Sequence, residues 1–154
     1  MKVYENADMK SVRSEKYNYD FNKETGRLEA WGKTKNDIPD YAPSPEILDL
    51  EISSGKCSQA CTFCYKENGS GPSLNMTFGM FKNIFDKITS KKVLTQIAFG
   101  ITDIYSNPDF FKMMEYCRHN GVIPNYTTSG FDLDEEAVKK TSELCGGSIC
   151  FGTQ

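Results

Sequence analysis

The sequence lacks long apolar runs and any excess of positive charge. None of its 154 residues belongs to an apolar stretch long enough to cross a bilayer. Residues 1–8 are polar, so there is no sign of a secretory signal peptide. The formal net charge of −3 gives no broad positive field for nucleic acid or an anionic membrane. These features predict a folded cytoplasmic protein with no membrane segment, and they give no evidence for a nucleic-acid partner.

Histidine and paired cysteine motifs are also scarce. The chain has one histidine and six cysteines, and three of the cysteines fall within residues 57–64. In a reducing compartment, cysteines act as ligands or stay as thiols rather than forming a disulfide scaffold. The clustered cysteines are therefore the leading candidates for a functional site.

Residues 1–45 and 46–154 differ in character, and we expect two regions. The first is polar and rich in turn formers, and its segments 17–21 and 27–31 alternate apolar and polar residues as a β-hairpin does. Three prolines within residues 36–45 indicate a linker. The sequence thus predicts an N-terminal extension with a hairpin, followed by a separate α/β domain.

The second region alternates strand and helix signals. Strand candidates span 47–52, 93–99, 122–127 and 148–151, and helix candidates cover 77–89, a segment beginning at Asn107–Pro108, and a segment capped within 132–135. This alternation predicts parallel βαβ units with helices covering the sheet. In such folds the chemistry gathers at the carboxyl ends of the strands, where the cysteine cluster also falls.

The cysteines Cys57, Cys61 and Cys64 have the spacing C-x3-C-x2-C. Thiolates are soft ligands that suit iron–sulfur clusters and zinc. Three of them around one face of a [4Fe–4S] cube leave one iron without a protein ligand, and that iron can bind a cofactor or substrate. The spacing therefore favours a cluster with one open iron.

This motif, with the aromatic Phe63 before its last cysteine, resembles that of the radical S-adenosylmethionine (SAM) family. The resemblance implies that the open iron binds S-adenosylmethionine (AdoMet), which an electron from the cluster cleaves to methionine and a 5′-deoxyadenosyl radical. It also implies that Phe63 lies near the adenine. A flavodoxin or ferredoxin is the electron donor that the resemblance implies.

A second segment, beginning at Gly100, resembles the G-G-E-P motif that binds the AdoMet amino group in that family. The following Asn-Pro-Asp-Phe of residues 107–110 sets the register, so that Gly100 matches the first glycine. Thr102 then stands at a later glycine position, and Asp103 replaces the glutamate. The resemblance places these three residues at the methionine end of AdoMet. Residues 126–130 resemble the family's T-N-G segment, which brings Thr128 to the same cofactor.

The resemblance further implies a partial radical SAM-type (β/α) barrel, with about three βα units and a fourth strand after the N-terminal hairpin. The chain would then be the N-terminal portion of the barrel domain. Alternatives are a non-catalytic iron–sulfur-binding fragment, or half of a split enzyme that a second chain completes. A smaller alternative is an activase like that of anaerobic ribonucleotide reductase.

The remaining alternative is a zinc-stabilised structural module. Structural zinc sites take four protein ligands, often in paired motifs. The fourth ligand would have to come from outside the cluster, and the candidates are Cys117, Cys145, Cys150 and His119. None of them belongs to a second paired motif.

Overall fold

The computed structural model describes residues 1–89, 92–146 and 150–151. Its first element is a four-stranded antiparallel sheet in the order β1-β2-β3-β4. The strands are β1 (Lys2–Glu5), β2 (Met9–Arg13), β3 (Asn18–Asn22) and β4 (Leu28–Trp31). The predicted hairpin is present as β3 and β4, which pair from Asn18↔Trp31 to Phe21↔Leu28.

Strands β1 and β2 were not predicted from the sequence. Apolar residues are sparse in them, and the clearest core contribution is Val12, which is fully buried. Val12 pairs with Val3 on one side and with Tyr19 on the other. These two polar strands therefore form by pairing along the sheet, starting from β3. The pattern of apolar residues within either strand alone gives little indication of them.

The remaining elements alternate strands and helices. In chain order they are β5 (Ile47–Glu51), β6 (Ser53–Ser54), β7 (Leu74–Asn75), α1 (Phe78–Thr89), β8 (Gln96–Gly100), α2 (Phe110–His119), β9 (Ile123–Thr128), α3 (Glu135–Leu144) and β10 (Cys150–Phe151). Strands β10-β9-β8-β5 form a parallel sheet in that order, and β6 pairs with β7 in a short antiparallel ribbon. No described helix is long and apolar enough to pass through a bilayer.

One helix start differs from the sequence prediction, and another lies within the predicted cap segment. Helix α2 begins at Phe110 rather than at Pro108, and its N-cap is Asp109 instead of Asn107. Helix α3 is capped by Asp134, whose carboxylate accepts the N–H of Ala137 at 2.8 Å, so the predicted cap within 132–135 lies at its third residue. The Asn107 side-chain oxygen still accepts the Asp109 N–H at 2.9 Å, while its amide nitrogen donates in tertiary contacts.

The main core lies between the parallel sheet and its helices. Phe81 of α1 contacts Phe99 of β8 at 5.7 Å between ring centroids, and Phe99 contacts Phe110 of α2 at 6.0 Å. These rings are at most 2% exposed. Because strand side chains alternate between faces, the intervening residues Ala98 and Gly100 point away from this core.

The antiparallel sheet packs at the amino ends of the parallel strands. Its buried residues Tyr19 and Phe21 share a core with Val93, which precedes β8, and with Ile123, which begins β9. The Tyr19 hydroxyl donates to the Val93 carbonyl at 2.7 Å. The opposite, carboxyl ends of the strands are therefore left for the cysteine segment.

Candidate cofactor site

A cavity of about 630 Å³ lies at the carboxyl ends of β5, β8 and β9. The three clustered cysteines all line it, together with strand residues on the face away from the main core. The predicted site residues that line it are Cys57, Cys61, Phe63, Cys64, Gly100, Thr102 and Thr128. The structure thus brings together predicted site residues that are far apart in the chain, and Asp103 is the exception.

The cysteine loop is closed at its base by backbone hydrogen bonds. The Cys57 N–H donates to the Gly69 carbonyl at 2.9 Å, and the Gly69 N–H donates to the Gly55 carbonyl at 2.7 Å. The side chain of Asn68, 8% exposed, accepts the Gly55 N–H at 2.8 Å. Gly55 has φ +91° and a Cβ there would meet the Pro72 carbonyl oxygen at 2.0 Å, so this closure requires glycine.

Within the loop, successive turns place the cysteines. The Cys64 N–H donates to the Cys61 carbonyl at 3.1 Å, and the Glu67 N–H donates to the Cys64 carbonyl at 2.9 Å. Ala60 and Glu67 adopt left-handed backbone conformations, with φ of 43° and 52°. Each costs about 1–2 kcal/mol for a residue with a Cβ. Such strain clusters at functional sites, and here it flanks the second and third cysteines.

The three thiols are half-buried. They share one cavity, but the described residues contain no group of three or more His, Cys, Asp or Glu side chains close enough to hold a metal ion. The three thiols therefore line the same cavity, but their sulfur atoms are not as close together as the ligands of an occupied metal site.

The other cysteines have different surroundings. Cys117 is fully buried in α2, and burial raises the pKa of its thiol, as expected for a core residue. Burial raises the pKa of Cys145 to about 12. Neither of these cysteines nor His119 lines the cysteine cavity, and the Cys150 side chain lies outside the described residues. A fourth zinc ligand from Cys117, Cys145 or His119 is thus not positioned.

The segment after β8 forms one wall of the cavity. A Cβ at Gly100 would lie 3.2 Å from the Glu51 Cα and 2.9 Å from the Lys66 Nζ, so the close approach of β5 and the loop requires glycine. The Thr102 N–H donates to the Ser53 hydroxyl at 3.0 Å. The Thr102 hydroxyl is buried and makes no hydrogen bond with any described residue. A buried hydroxyl without a partner is costly to the fold.

Asp103 lies on the other side of the cysteine loop. Its carboxylate accepts the Ser58 N–H at 3.0 Å and the Ser58 hydroxyl at 2.8 Å, and the Cys57 thiol donates to it at 3.8 Å. It lines a separate cavity of about 420 Å³. This position differs from the one that the resemblance implies, because the Ser58 donors attract the carboxylate to the loop.

Phe63 and Thr128 reach the cavity in different ways. The Phe63 ring is 71% exposed. Thr128 is 5% exposed, and its hydroxyl donates to the Asp132 carboxylate at 3.3 Å while it accepts the Gly130 N–H at 3.1 Å. The hydroxyl of Thr128 therefore organises its own turn, and the neighbouring Thr127, which is exposed, also lines the cavity.

The sequence analysis missed several residues that build this site. The Asn107 side chain, 3% exposed, donates to the Ile52 carbonyl at 2.9 Å and to the Met76 carbonyl at 3.0 Å. It thereby holds the end of β5 against the segment that returns from the cysteine loop. Lys66 and Glu51 were also missed, although the cavity-facing position of Glu51 follows from strand alternation in β5.

The residues present fit a [4Fe–4S] cluster in donor type and in location. Three thiols are the protein ligands that leave one iron open. The cavity they line is also lined by Gly100, Thr102 and Thr127.

No family model matches the sequence, and no curated protein matches it. Solved structures do match, and the likeness shows a shared fold. One is BtrN in complex with AdoMet and 2-DOIA, with a TM-score of 0.58 at 15% identity, covering 71% of this chain and 47% of that one. Another is selenomethionine BtrN in an open conformation, with a TM-score of 0.51 at 16% identity, covering 68% and 48%. The chain spans about half the length of these structures.

Proposed function

We propose that this chain carries the N-terminal portion of a radical SAM barrel domain, with Cys57, Cys61 and Cys64 as the ligands of a [4Fe–4S] cluster. The observation that carries this proposal is that all three thiols line one cavity at the carboxyl ends of parallel strands. The fold shared with BtrN, whose structure holds AdoMet, supports the same assignment. When bound, the cluster supplies the electron that cleaves AdoMet to methionine and a 5′-deoxyadenosyl radical.

The fold part of the proposal is a partial (β/α) barrel. Strands β5, β8, β9 and β10 are parallel neighbours, and α1, α2 and α3 connect them in turn. This gives three βα units and a fourth strand. A barrel of that type places its ligands at the carboxyl ends of the strands, where the cysteine loop follows β5.

In this proposal, different residues of the chain hold the cluster, shape the cavity and contact AdoMet. The loop turns hold the thiols toward the cavity, while Gly100 allows the Lys66 side chain to approach the end of β8. Thr102 lines the cavity beside the amino-acid end of AdoMet. The exposed ring of Phe63 is free to cover the adenine. Asp103 holds Ser58, the residue after the first cysteine, from outside the cavity.

Anaerobic reconstitution with iron and sulfide tests the cluster. We expect about four irons and four sulfides per chain, as a cubane requires. Replacing Cys57, Cys61 or Cys64 with alanine should abolish this loading, whereas Cys145→Ala should leave it intact. Zinc without acid-labile sulfide in anaerobically purified protein would favour the structural zinc module and contradict the proposal.

A second candidate is a cluster-binding chain without activity of its own, or one half of a split enzyme. The observation that favours it is the match to about half of BtrN. Incubation with AdoMet and dithionite separates the two, since only the active enzyme yields 5′-deoxyadenosine. Within this proposal, a flavodoxin or ferredoxin replaces dithionite as the physiological donor, and a second chain completes the barrel.

A further inference from the structure

Lys66 is a largely buried cation in the cysteine cavity. Its side chain is only 12% exposed, and it lines the cavity together with the three cysteines. A lysine ammonium has three N–H donors, and burial away from water without acceptors is costly. The partners of this ammonium therefore indicate what the cavity is built to receive.

Those partners leave the ammonium incompletely satisfied. Lys66 Nζ lies 3.4 Å from Glu51 Oε1, and it makes no hydrogen bond with any described residue. Its other contact is the ring of Tyr65, at 5.7 Å from the centroid. Lys10, also buried, differs: its Nζ donates to the Leu94 carbonyl at 2.9 Å and lies 3.5 Å from Glu5. The Lys66 ammonium thus keeps donors for a group that enters the cavity.

The position of this ammonium is set by three elements. Glu51, at the end of β5, holds it by charge, and Gly100, at the end of β8, lets it approach, because a Cβ there would lie 2.9 Å away. Glu67, next in the chain, has the left-handed φ of 52° that ends the loop turn. The ammonium therefore lies over the carboxyl end of β8, in the cavity that Thr102 also lines.

We propose that Lys66 binds the carboxylate of AdoMet in this cavity. Glu51 holds its ammonium over Gly100, and the ammonium has N–H donors that no described residue uses. This inference rests on the proposed function and adds a residue from the cysteine loop itself to the cofactor site. A charge-assisted hydrogen bond from an ammonium to a carboxylate is about twice as strong as a neutral one.

Binding of AdoMet and of decarboxylated AdoMet to the reconstituted chain tests this role. Wild type should prefer AdoMet, and Lys66→Met should reduce that preference about 10-fold or more by weakening AdoMet alone. Lys66→Arg should restore most of it. Lys56→Met is the matched control, because Lys56 is exposed beside Cys57 but lines the separate cavity with Asp103.

The outcomes separate the two proposals. An unchanged preference in Lys66→Met, with iron content and circular dichroism like those of wild type, overturns the role of Lys66 and leaves the proposed function standing. Loss of iron in both Lys66 variants also overturns it, since Lys66 would then retain the cluster rather than bind the carboxylate. A wild-type chain that loads its cluster but binds no AdoMet overturns both proposals.

Discussion

The Asp103 carboxylate accepts both the backbone N–H and the hydroxyl of Ser58, at 3.0 and 2.8 Å. This contact joins the segment after β8 to the residue that follows the first cysteine. It gives Asp103 a positioning role in the cysteine loop, whereas the family resemblance gives it direct contact with AdoMet. The two roles predict different defects.

We expect Asp103→Ala to release iron several-fold faster to a chelator, because the loop loses hydrogen bonds to a charged acceptor worth about 1–3 kcal/mol. AdoMet affinity in the molecules that keep their cluster should change little. Asp40→Ala, in the exposed linker, is the control. Unchanged iron release with a large loss of AdoMet affinity would assign Asp103 to the cofactor instead.

We expect Asn107→Ala to lower the free energy of unfolding by about 2 kcal/mol or more, since the buried carbonyls of Ile52 and Met76 would lose their donor. Urea denaturation of the apoprotein measures this change. Asn36→Ala, in an exposed turn, should stay within about 0.5 kcal/mol of wild type. Equal effects of the two variants would show that Asn107 does not hold the loop to the sheet.

Gly100→Ala should destabilise the apoprotein by about 1–3 kcal/mol, because the new methyl would meet the Glu51 Cα at 3.2 Å and the Lys66 Nζ at 2.9 Å. It should also weaken AdoMet binding by displacing Lys66. Gly71→Ala is the matched control, as a Cβ there meets only the Gly55 Cα at 3.9 Å. Thermal unfolding and AdoMet titration check the pair, and a stable Gly100→Ala with normal affinity would contradict the described packing.

Asp20 makes the antiparallel sheet sensitive to acid. Burial alone would raise its pKa, but hydrogen bonds from Ser11 and Arg13 outweigh burial and lower it. Because the folded pKa lies below the unfolded one, the stabilisation is present above about pH 4 and is lost as the pH falls through the folded pKa. Asp20→Asn should therefore flatten the dependence of unfolding free energy on pH below about 4. An unchanged slope would show that this carboxylate is not stabilised in the folded chain.

The fold was predictable where each element buries its own apolar stripe. The predicted helix 77–89 agrees with Phe78–Thr89, because its phenylalanines recur on one face that packs on β8. The helix caps were less predictable. The Asn107 amide nitrogen donates to the Ile52 and Met76 carbonyls, although its oxygen still accepts the Asp109 N–H. The Asp132 carboxylate accepts the Ile104 N–H. These tertiary contacts are not visible in a local pattern.

The site was predictable in its thiols and only partly in its surroundings. Spacing alone groups Cys57, Cys61 and Cys64, and the structure brings all three to one cavity. The burial of Lys66 depends on the pairing of Glu51 with Gly100 across two strands, which sequence spacing does not give. The turn of Asp103 toward Ser58 likewise depends on how the loop folds back.

The electron paramagnetic resonance spectrum of the reduced, reconstituted chain, recorded with and without AdoMet, tests the central claim most directly. We predict the signal of one [4Fe–4S] cluster per chain and a clear change in that signal when AdoMet is added. A cluster signal that AdoMet leaves unaltered, or no cluster signal after full reconstitution, would contradict the assignment of Cys57, Cys61 and Cys64 to a cluster with an open iron.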